Sequence, residues 1–524
     1  MASLLISPNS CLVLLGVCSF LFSRWISTRR LNLPPGPRPL PFIGNLHQIS
    51  FHNQELRFAE WGRFFGDVVY FKVFGRPMVV LDTLMAARDL LEKRSGNYSC
   101  RPRFVLLVEM MGWDASLPQL PYGPRFRKQR RLILDHFTRG VNSFRSTQRD
   151  EAYVLLRDLL ETPDAFLQHI RRFAAGTIMK ITYGHTVRST DELYVRLAEE
   201  AGMGTVTGGS PGSVLVDFFP ALRHIPTWMP GAGFKRHALR TRIKVRNMHD
   251  TPYEMVRKAT AAGTAIPSFT STLISDNLAA GTSPIHDEED IKGVAGTLYG
   301  AAADTTSATL ATFFLAMILH PEVFAKAQAE IDHVVGSDRL PDFQDRTSLP
   351  YVESVVKEVY RWHCPVPLAV PHRSIKDDQY RGYDIPADTM IIPNVWAMTR
   401  DEQMYPKAEL FNPERFMNQN GEEADQTDPK DFIFGFGRRQ VVLISPFQCP
   451  GKVFADANVW LVSACIIAAF QAPVSCDEFG EKVVPPTQFT SGFVRHPVPF
   501  ACDIKARSSL HSGLIHQAIN SMAH

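Results

Sequence analysis

The chain has 524 residues, 45% of them hydrophobic and 21% charged, with a formal net charge of +3. This composition excludes a disordered or collagen-like chain and a polytopic membrane protein, and so small a charge gives no ground for a nucleic-acid binder. Its eight cysteines stand singly, with no CxxC pair, which argues against a disulfide framework, a zinc ribbon or a thioredoxin-like site and suits a reducing compartment.

Residues 4–25 are mostly apolar, long enough for a helix to cross a bilayer core of about 30 Å. The first ten residues hold no Lys or Arg, whereas Arg24, Arg29, Arg30 and Arg38 follow the densest apolar run, 11–22. A secretory signal carries its positive charge before the apolar run, so this order implies an uncleaved anchor with its C-terminal side in the cytosol. A buried core helix is the alternative, disfavoured because Leu33-Pro34-Pro35-Gly36-Pro37 follows at once. That Pro-rich stretch is expected to act as a semi-rigid spacer. The sequon Asn97-Tyr98-Ser99 would then go unused in the cytosol. With no long Gly/Ser linker, charge block or repeat period, residues 1–29 are taken as the anchor and 30–524 as one large domain.

Within that domain, 68–81 alternates apolar residues around Gly75-Arg76-Pro77 and predicts a β-hairpin. Helical patterns follow at 125–137, 151–160, 165–183, 285–320 and 351–362. Short strands are expected at 380–392, with Gly382 and Pro386 marking turns. A last helix begins after Pro450-Gly451, where Val453, Phe454, Ala457, Trp460, Leu461, Ala464 and Cys465 recur at helical spacing. Residues 488–494 suggest strand and turn. The predicted class is mainly α with a small β region.

The strongest chemical signal is Phe434-Gly435-Phe436-Gly437-Arg438-Arg439, followed by Cys449-Pro450-Gly451 and that last helix. A thiolate at a helix N-terminus is favoured by the dipole and by free N–H groups, which also tune a metal bound to the sulfur. Alone, such a cysteine is more often an inert packing residue. Four other constellations keep it company. Tyr299-Gly300-Ala301-Ala302-Ala303-Asp304-Thr305-Thr306 places small residues, which admit a flat ligand, beside an acid and a hydroxyl that can relay protons; a helix-packing face would use the same small residues. Glu358 and Arg361 lie at i, i+3 on one helix face, and by itself that is a common surface pair. Phe411-Asn412-Pro413-Glu414-Arg415-Phe416 offers a second arginine to the same acid. The run from Tyr122-Gly123-Pro124 through Arg131 carries five basic residues, Arg125, Arg127, Lys128, Arg130 and Arg131, in seven positions. No aromatic-interleaved basic surface accompanies it elsewhere, so no nucleic acid is expected as a partner.

Taken together, these five motifs in this order resemble the cytochrome P450 family of haem-thiolate monooxygenases. The type is the membrane-anchored eukaryotic one, in the style of fungal secondary-metabolite oxidases, and the resemblance runs over essentially the whole chain. It implies a cytochrome P450-like fold, a mainly α-helical triangular body with a small β region, plus one N-terminal transmembrane helix. It implies that Cys449 is the axial thiolate of haem iron, pushing electron density toward O–O cleavage. Asp304 and Thr305 would supply protons on the distal side. Glu358, Arg361 and Arg415 would form a structural cluster. Arg130, His372 and Arg439 would hold the haem propionates, and Asn394, Trp396 and Ala397 would be structural.

Three positions depart from the family pattern. Phe126 stands where the family usually has Trp, and Ala302 where it usually has Gly. Between Arg439 and Cys449 the family has one residue, whereas this chain has Gln440 to Gln448. The eight extra residues are either a loop that bulges outward or an artefact of the gene model, and either can displace Arg439.

The implied activity is insertion of one oxygen atom from O2 into a small apolar substrate, in secondary-metabolite or xenobiotic oxidation. Electrons would come from an NADPH-dependent flavoprotein reductase, docked on the basic helix at 125–131. The implied location is the endoplasmic reticulum membrane, single-pass, with the catalytic domain facing the cytosol. Substrate would meet residues 99–120, 206–228, 299–306, 367–370 and 488–493, which are rich in Leu, Val, Met and Phe. One alternative is a haem-dependent rearrangement or dehydration, against which the Asp304-Thr305 pair argues. Another is a pseudoenzyme impaired by the insertion before Cys449.

Overall fold

The computed structural model describes residues 31–50, 52–208, 214–281, 285–418, 426–437, 448–477 and 479–522. The expected anchor at 1–29 lies outside the described residues.

The first helix, α1 (Gln54–Phe65), leads into the strands β1 (Val68–Val73) and β2 (Arg76–Leu81). These pair antiparallel with Val73 opposite Arg76, so Phe74 and Gly75 alone make the turn. Both have positive φ, 48° and 80°, the type I′ geometry whose twist matches the strands. Gly75 adopts it without steric cost, and Pro77 falls in β2 just before pairing with the next strand begins at Met78. Later in the chain come β3 (His372–Arg373), the hairpin β4 (Asp378–Tyr380) and β5 (Tyr383–Ile385), and β6 (Met390–Pro393). The sheet order is β1-β2-β6-β3, with β6 parallel to β2 and antiparallel to β3.

The Pro-rich stretch is not a free spacer. Tyr70 N donates to Pro35 O at 2.9 Å, and Asn45 Nδ2 donates to Pro37 O at 2.9 Å. Asn32 is bonded to Gly382 and Asp384 of the second hairpin. A Cβ at Gly36 would stand 1.8 Å from Tyr70 O, so only glycine permits this approach. An extended proline-rich backbone keeps its carbonyls available, and β1, at the edge of the sheet, uses them.

The helical body comprises α2 (Pro124–Ile133), α3 (Arg145–Glu161), α4 (Phe166–Tyr183), α5 (Leu193–Thr207), α6 (Gly233–Ala261), α7 (Phe269–Ala279), α8 (Glu288–Leu319), α9 (Pro321–Val334), α10 (Pro350–Trp362), α11 (Lys452–Ala469) and α12 (Ser509–Ser521). Regular α geometry in α2 stops at Ile133, and the chain continues as a wider turn, Leu134–Thr138. In α8, Asp287 caps the N-terminus by accepting from Asp290 N, and three acids occupy the first turn, where the dipole favours them. Proline at the first position of α9 and α10 starts each helix where no N–H partner is needed. From Thr306 to Met317 every residue of α8 is buried, as befits a helix enclosed on all sides.

Two described helices, Glu288–Leu319 and Lys452–Ala469, are long and apolar enough to cross a membrane. Their apolar windows are 67% and 72% buried within the fold, so their composition is that of core helices. Residues 488–494, expected as strand and turn, form bends held by a single bridge between Phe489 and Pro497. Pro497 and Pro499 deny the segment the donors a ladder needs.

Candidate active site

The cysteine loop sits at the head of α11. Cys449 N donates to Phe434 O at 2.8 Å, which returns the chain to the Phe434-Gly435 turn, and Thr138 Oγ1 donates to Pro450 O. Lys452 N bonds Cys449 O, the first contact of the helix. The Cys449 side chain is accessible to solvent while protein encloses its other sides. Burial pushes its thiol up from the ordinary range, against the pull of the Gly451 N–H and the charges of Arg130 and Lys452. A metal cation at the sulfur would reverse that balance and hold the thiolate.

Arg130, on α2, is brought to this loop: its Nη2 donates to Gln448 O at 2.7 Å across 318 residues of sequence. It is buried, and desolvation lowers its pKa to about 10, opposed by the nearby Cys449. His372 lies on β3, with Nδ1 2.8 Å from Tyr98 O. A carbonyl only accepts, so Nδ1 carries the proton. Burial first, and then the charge of Arg101, hold His372 well below the usual histidine range, which leaves Nε2 bare in the neutral ring. Arg101 itself donates through Nη1 to the carbonyls of Val370 and Pro371, and desolvation lowers its pKa to about 10. Among the described residues it has no carboxylate partner. A backbone bridge between Cys100 and Arg373 fixes this pairing.

The acid and hydroxyl on α8 are arranged differently. Thr305 Oγ1 donates back to Ala301 O at 2.8 Å, so the hydroxyl offers its lone pairs as an acceptor. Thr306 Oγ1 is buried with no hydrogen-bond partner among the described residues. Asp304 Oδ1 meets His496 Nε2 at 2.8 Å, and the Asp304 side chain is 54% exposed. Ala302 and Ala303 pack on the apolar cluster that also holds Phe126 of α2 and Phe454 of α11. Phe126, at 7% exposure, is thus a wall residue.

Glu358, Arg361 and Arg415 close on one another. Glu358 receives both Arg361 Nε and Nη2, at 2.7 and 2.8 Å, and Arg415 Nε at 3.1 Å from Oε2. Asn412 N adds a fourth bond at 2.7 Å. Arg361 spends its remaining donors on the carbonyls of Thr399, Ala408 and Leu410. The neighbouring Tyr360 meets Phe434 edge-on at 5.7 Å, which links this cluster to the cysteine loop.

Of the residues expected from sequence, Arg130 bonds the residue before Cys449 and lies within its electrostatic reach, and Glu358, Arg361 and Arg415 meet. His372 meets Arg101, and Asp304 meets His496. Arg438, Arg439 and residues 440–447 lie outside the described residues. Asn394, expected to be structural, is buried and ties Asp82 to Glu55 O. The basic helix is less of a patch than its sequence implies. Arg125 and Lys128, though exposed, both pair with Asp290, and Arg130 is buried, while Arg127 and Arg131 also face outward. Sequence reasoning missed Arg101 and His496. The run Arg101-Pro102-Arg103 gives no periodic sign of which arginine turns inward, and His496 follows Arg495 like any surface histidine.

The residues present fit a haem: a thiol, the buried Arg130 and half-buried Arg101 suited to carboxylates, and apolar walls from α2, α8 and α11. Comparison with known proteins points the same way. The family model described as cytochrome P450 matches residues 34–503. Cytochrome P450 monooxygenase 176 of Postia placenta is 42% identical over 522 residues, covering 98% of this chain and 99% of that protein. Cytochrome P450 monooxygenase 136 of the same fungus is 39% identical over 515 residues, covering 98% and 96%. Tryptamine 4-monooxygenase of Psilocybe cyanescens is 38% identical over 504 residues, covering 95% and 97%. A match that spans the helical body, the small sheet and the cysteine loop at once leaves one conclusion: the chain belongs to the cytochrome P450 family, the haem-thiolate oxidoreductases that act as monooxygenases.

Proposed function

We propose that this P450 inserts one oxygen atom from O2 into a small apolar substrate in fungal secondary metabolism, and that Cys449 would hold the haem iron through its thiolate. The observation that carries the reading is Cys449 at the head of α11 with Arg130 beside it. The fungal relatives, one of them named a tryptamine 4-monooxygenase, support the metabolic setting.

Haem supplies the oxygen chemistry, and the protein supplies ligand, charge and protons. Arg130, Arg101, His372 and Arg439 would neutralise the two haem carboxylates. A carboxylate at His372 Nε2 would bring a second proton onto the ring, since Nδ1–H is already committed to Tyr98 O. Thr305 Oγ1, donating to Ala301 O, accepts a proton-bearing partner, and Asp304 exchanges protons with solvent through its exposed carboxylate. Glu358, Arg361 and Arg415 brace the cysteine loop through Tyr360 and Phe434. Electrons would enter from an NADPH-dependent flavoprotein reductase, for which Arg127, Arg131 and Lys452 are the cations near the loop. Residues 1–29 would anchor the protein in the endoplasmic reticulum membrane, single-pass, with the body at 30–524 in the cytosol.

The test is reconstitution of the full chain with reductase and NADPH under isotopically labelled dioxygen, using a panel of apolar compounds with tryptamine included. Label in a product, and NADPH consumption that depends on reductase, are expected. Haem that binds without any reductase-dependent NADPH consumption would overturn the monooxygenase reading for this chain.

A further inference from the structure

We propose that His496 is a positioning residue for Asp304: from the turn at 489–497 it holds the carboxylate on α8, tying proton delivery to a turn that includes residues 489–493, expected from sequence to meet substrate. The inference rests on the proton role assigned above to Asp304.

The contact joins residues 192 apart in sequence, His496 Nε2 to Asp304 Oδ1 at 2.8 Å. It stands out against the rest of α8. Thr305, Ser307, Thr309 and Thr312 all turn their hydroxyls back to carbonyls of their own helix. Asp304 reaches outward instead, and His496 is its one side-chain partner among the described residues. The bond engages Oδ1 and leaves Oδ2 to solvent. The N–H of Nε2 donates whether the ring is neutral or protonated, so the contact does not require the charge.

His496 is held firmly enough to position something else. Thr490 N donates to His496 O at 2.8 Å, and His496 N donates to Thr490 Oγ1 at 3.0 Å. The preceding residue, Arg495, bonds Pro365 O through its backbone and pairs with the buried Glu55 of α1 through its guanidinium. Val498 N closes the turn on Gln488 O. The turn is thus fastened to Glu55 of α1 and to Pro365, just past α10, and the imidazole is the arm that crosses to α8. An ion pair whose acid is 54% exposed contributes little to stability, so its consequence lies in geometry. With Asp304 held at one oxygen, the other keeps a constant direction. A ligand that shifts the turn shifts that direction with it.

Full-length, haem-loaded protein is compared as wild type, His496→Ala, His496→Gln, Asp304→Asn and the double variant His496→Ala/Asp304→Asn. Two readouts are taken. The first, before any turnover, is amide hydrogen exchange across 488–498. The second is peroxide released per NADPH consumed, with reductase and with naphthalene as an apolar probe. His496→Ala should speed exchange in the turn several-fold and raise peroxide per NADPH by about threefold, at unchanged haem content. His496→Gln, which keeps an N–H donor, should restore both toward wild type. The double variant should be no worse than Asp304→Asn alone. If Asp304→Asn raises peroxide and His496→Ala does not, or if the two effects simply add, the positioning role is overturned while the proton role of Asp304 stands. If Asp304→Asn leaves peroxide unchanged, the proton role falls and this proposal falls with it.

Discussion

Two groups of buried charge in this protein differ in how they are closed. Around Glu358, one carboxylate meets two guanidinium groups and a backbone N–H, and Arg361 fills its other donors with three carbonyls. Beside the cysteine loop the buried Arg130 donates to Gln448 O, and beside β3 the half-buried Arg101 donates to the carbonyls of Val370 and Pro371; desolvation lowers the pKa of both. A thiol pushed up by burial lies beside Arg130. The first group is complete in itself and acts as a brace. The second places the buried Arg130 beside a thiol, an arrangement that a haem thiolate and its carboxylates would use. Burial of charge therefore serves two ends here, bracing the fold around Glu358 and shaping the surroundings of a thiol beside Arg130.

The comparison can be broken or sharpened by substitution. The largest effect is expected at the open group, where Cys449→Ala should abolish the thiolate-type Soret band of the reduced carbon-monoxide complex. Cys465→Ala, a change in a thiol buried on α11 near Pro341 O, should keep that band. A band that survives the loss of Cys449 would move the ligand elsewhere.

Next, removing one partner from the closed group should cost stability outright. Glu358→Gln is expected to destabilise the fold by about 3–5 kcal/mol, the usual cost of leaving a buried guanidinium without its acid. Arg130→Leu should change unfolding of the haem-free protein by no more than about 1 kcal/mol, because it also removes a desolvated cation, while lowering haem retention about tenfold. Denaturant midpoints and haem loss to a scavenger separate the two. Equal destabilisation by both variants would erase the distinction.

A smaller change is expected from loop length. Deleting 441–448 leaves Arg439-Gln440-Cys449, so a glutamine carbonyl again precedes the cysteine where Gln448 O now receives Arg130. Haem content and turnover should both rise, because arginine–propionate contacts are geometrically demanding. A fall in both would make the added residues a working element of the site.

The smallest effect is a pH dependence. His372 is held below its usual range by burial, by Arg101 and against the Tyr98 carbonyl, so the unfolded chain takes up the proton first. Its contribution is present above the unfolded value of about 6.5 and is lost as pH falls, with a slope of at most about 1.4 kcal/mol per pH unit. His372→Gln, which can still donate to Tyr98 O, should flatten this acid limb in urea titrations of the haem-free protein. In loaded protein, where a carboxylate favours the charged ring, the wild-type limb should already be shallower. An identical slope in both forms would place no anion at His372.

Much of this was legible in the chain itself. The hairpin at 68–81, the central helix, the last helix and the class of the fold follow from spacing and turn residues. Glu358 and Arg361 were visible as a helix pair and Arg415 as their complement, and the three do meet. The destinations of the polar groups were not legible. Nothing local shows that Asp290 claims Arg125 and Lys128 from the basic helix, or that Tyr70 takes up the Pro-rich segment. Nor does anything local turn Arg101 inward and leave Arg103 outside.

By itself the sequence determined which segments are helical or extended and which residue types can do haem-thiolate chemistry, because those signals are carried within a few turns of chain. Tertiary structure alone decided the partners: Arg130 with Gln448, His372 with Tyr98 and Arg101, Asp304 with His496. The bonds among these join residues 192 to 318 apart in sequence. A buried donor bonds whichever acceptor packing delivers, and that geometry is a property of the whole assembled core.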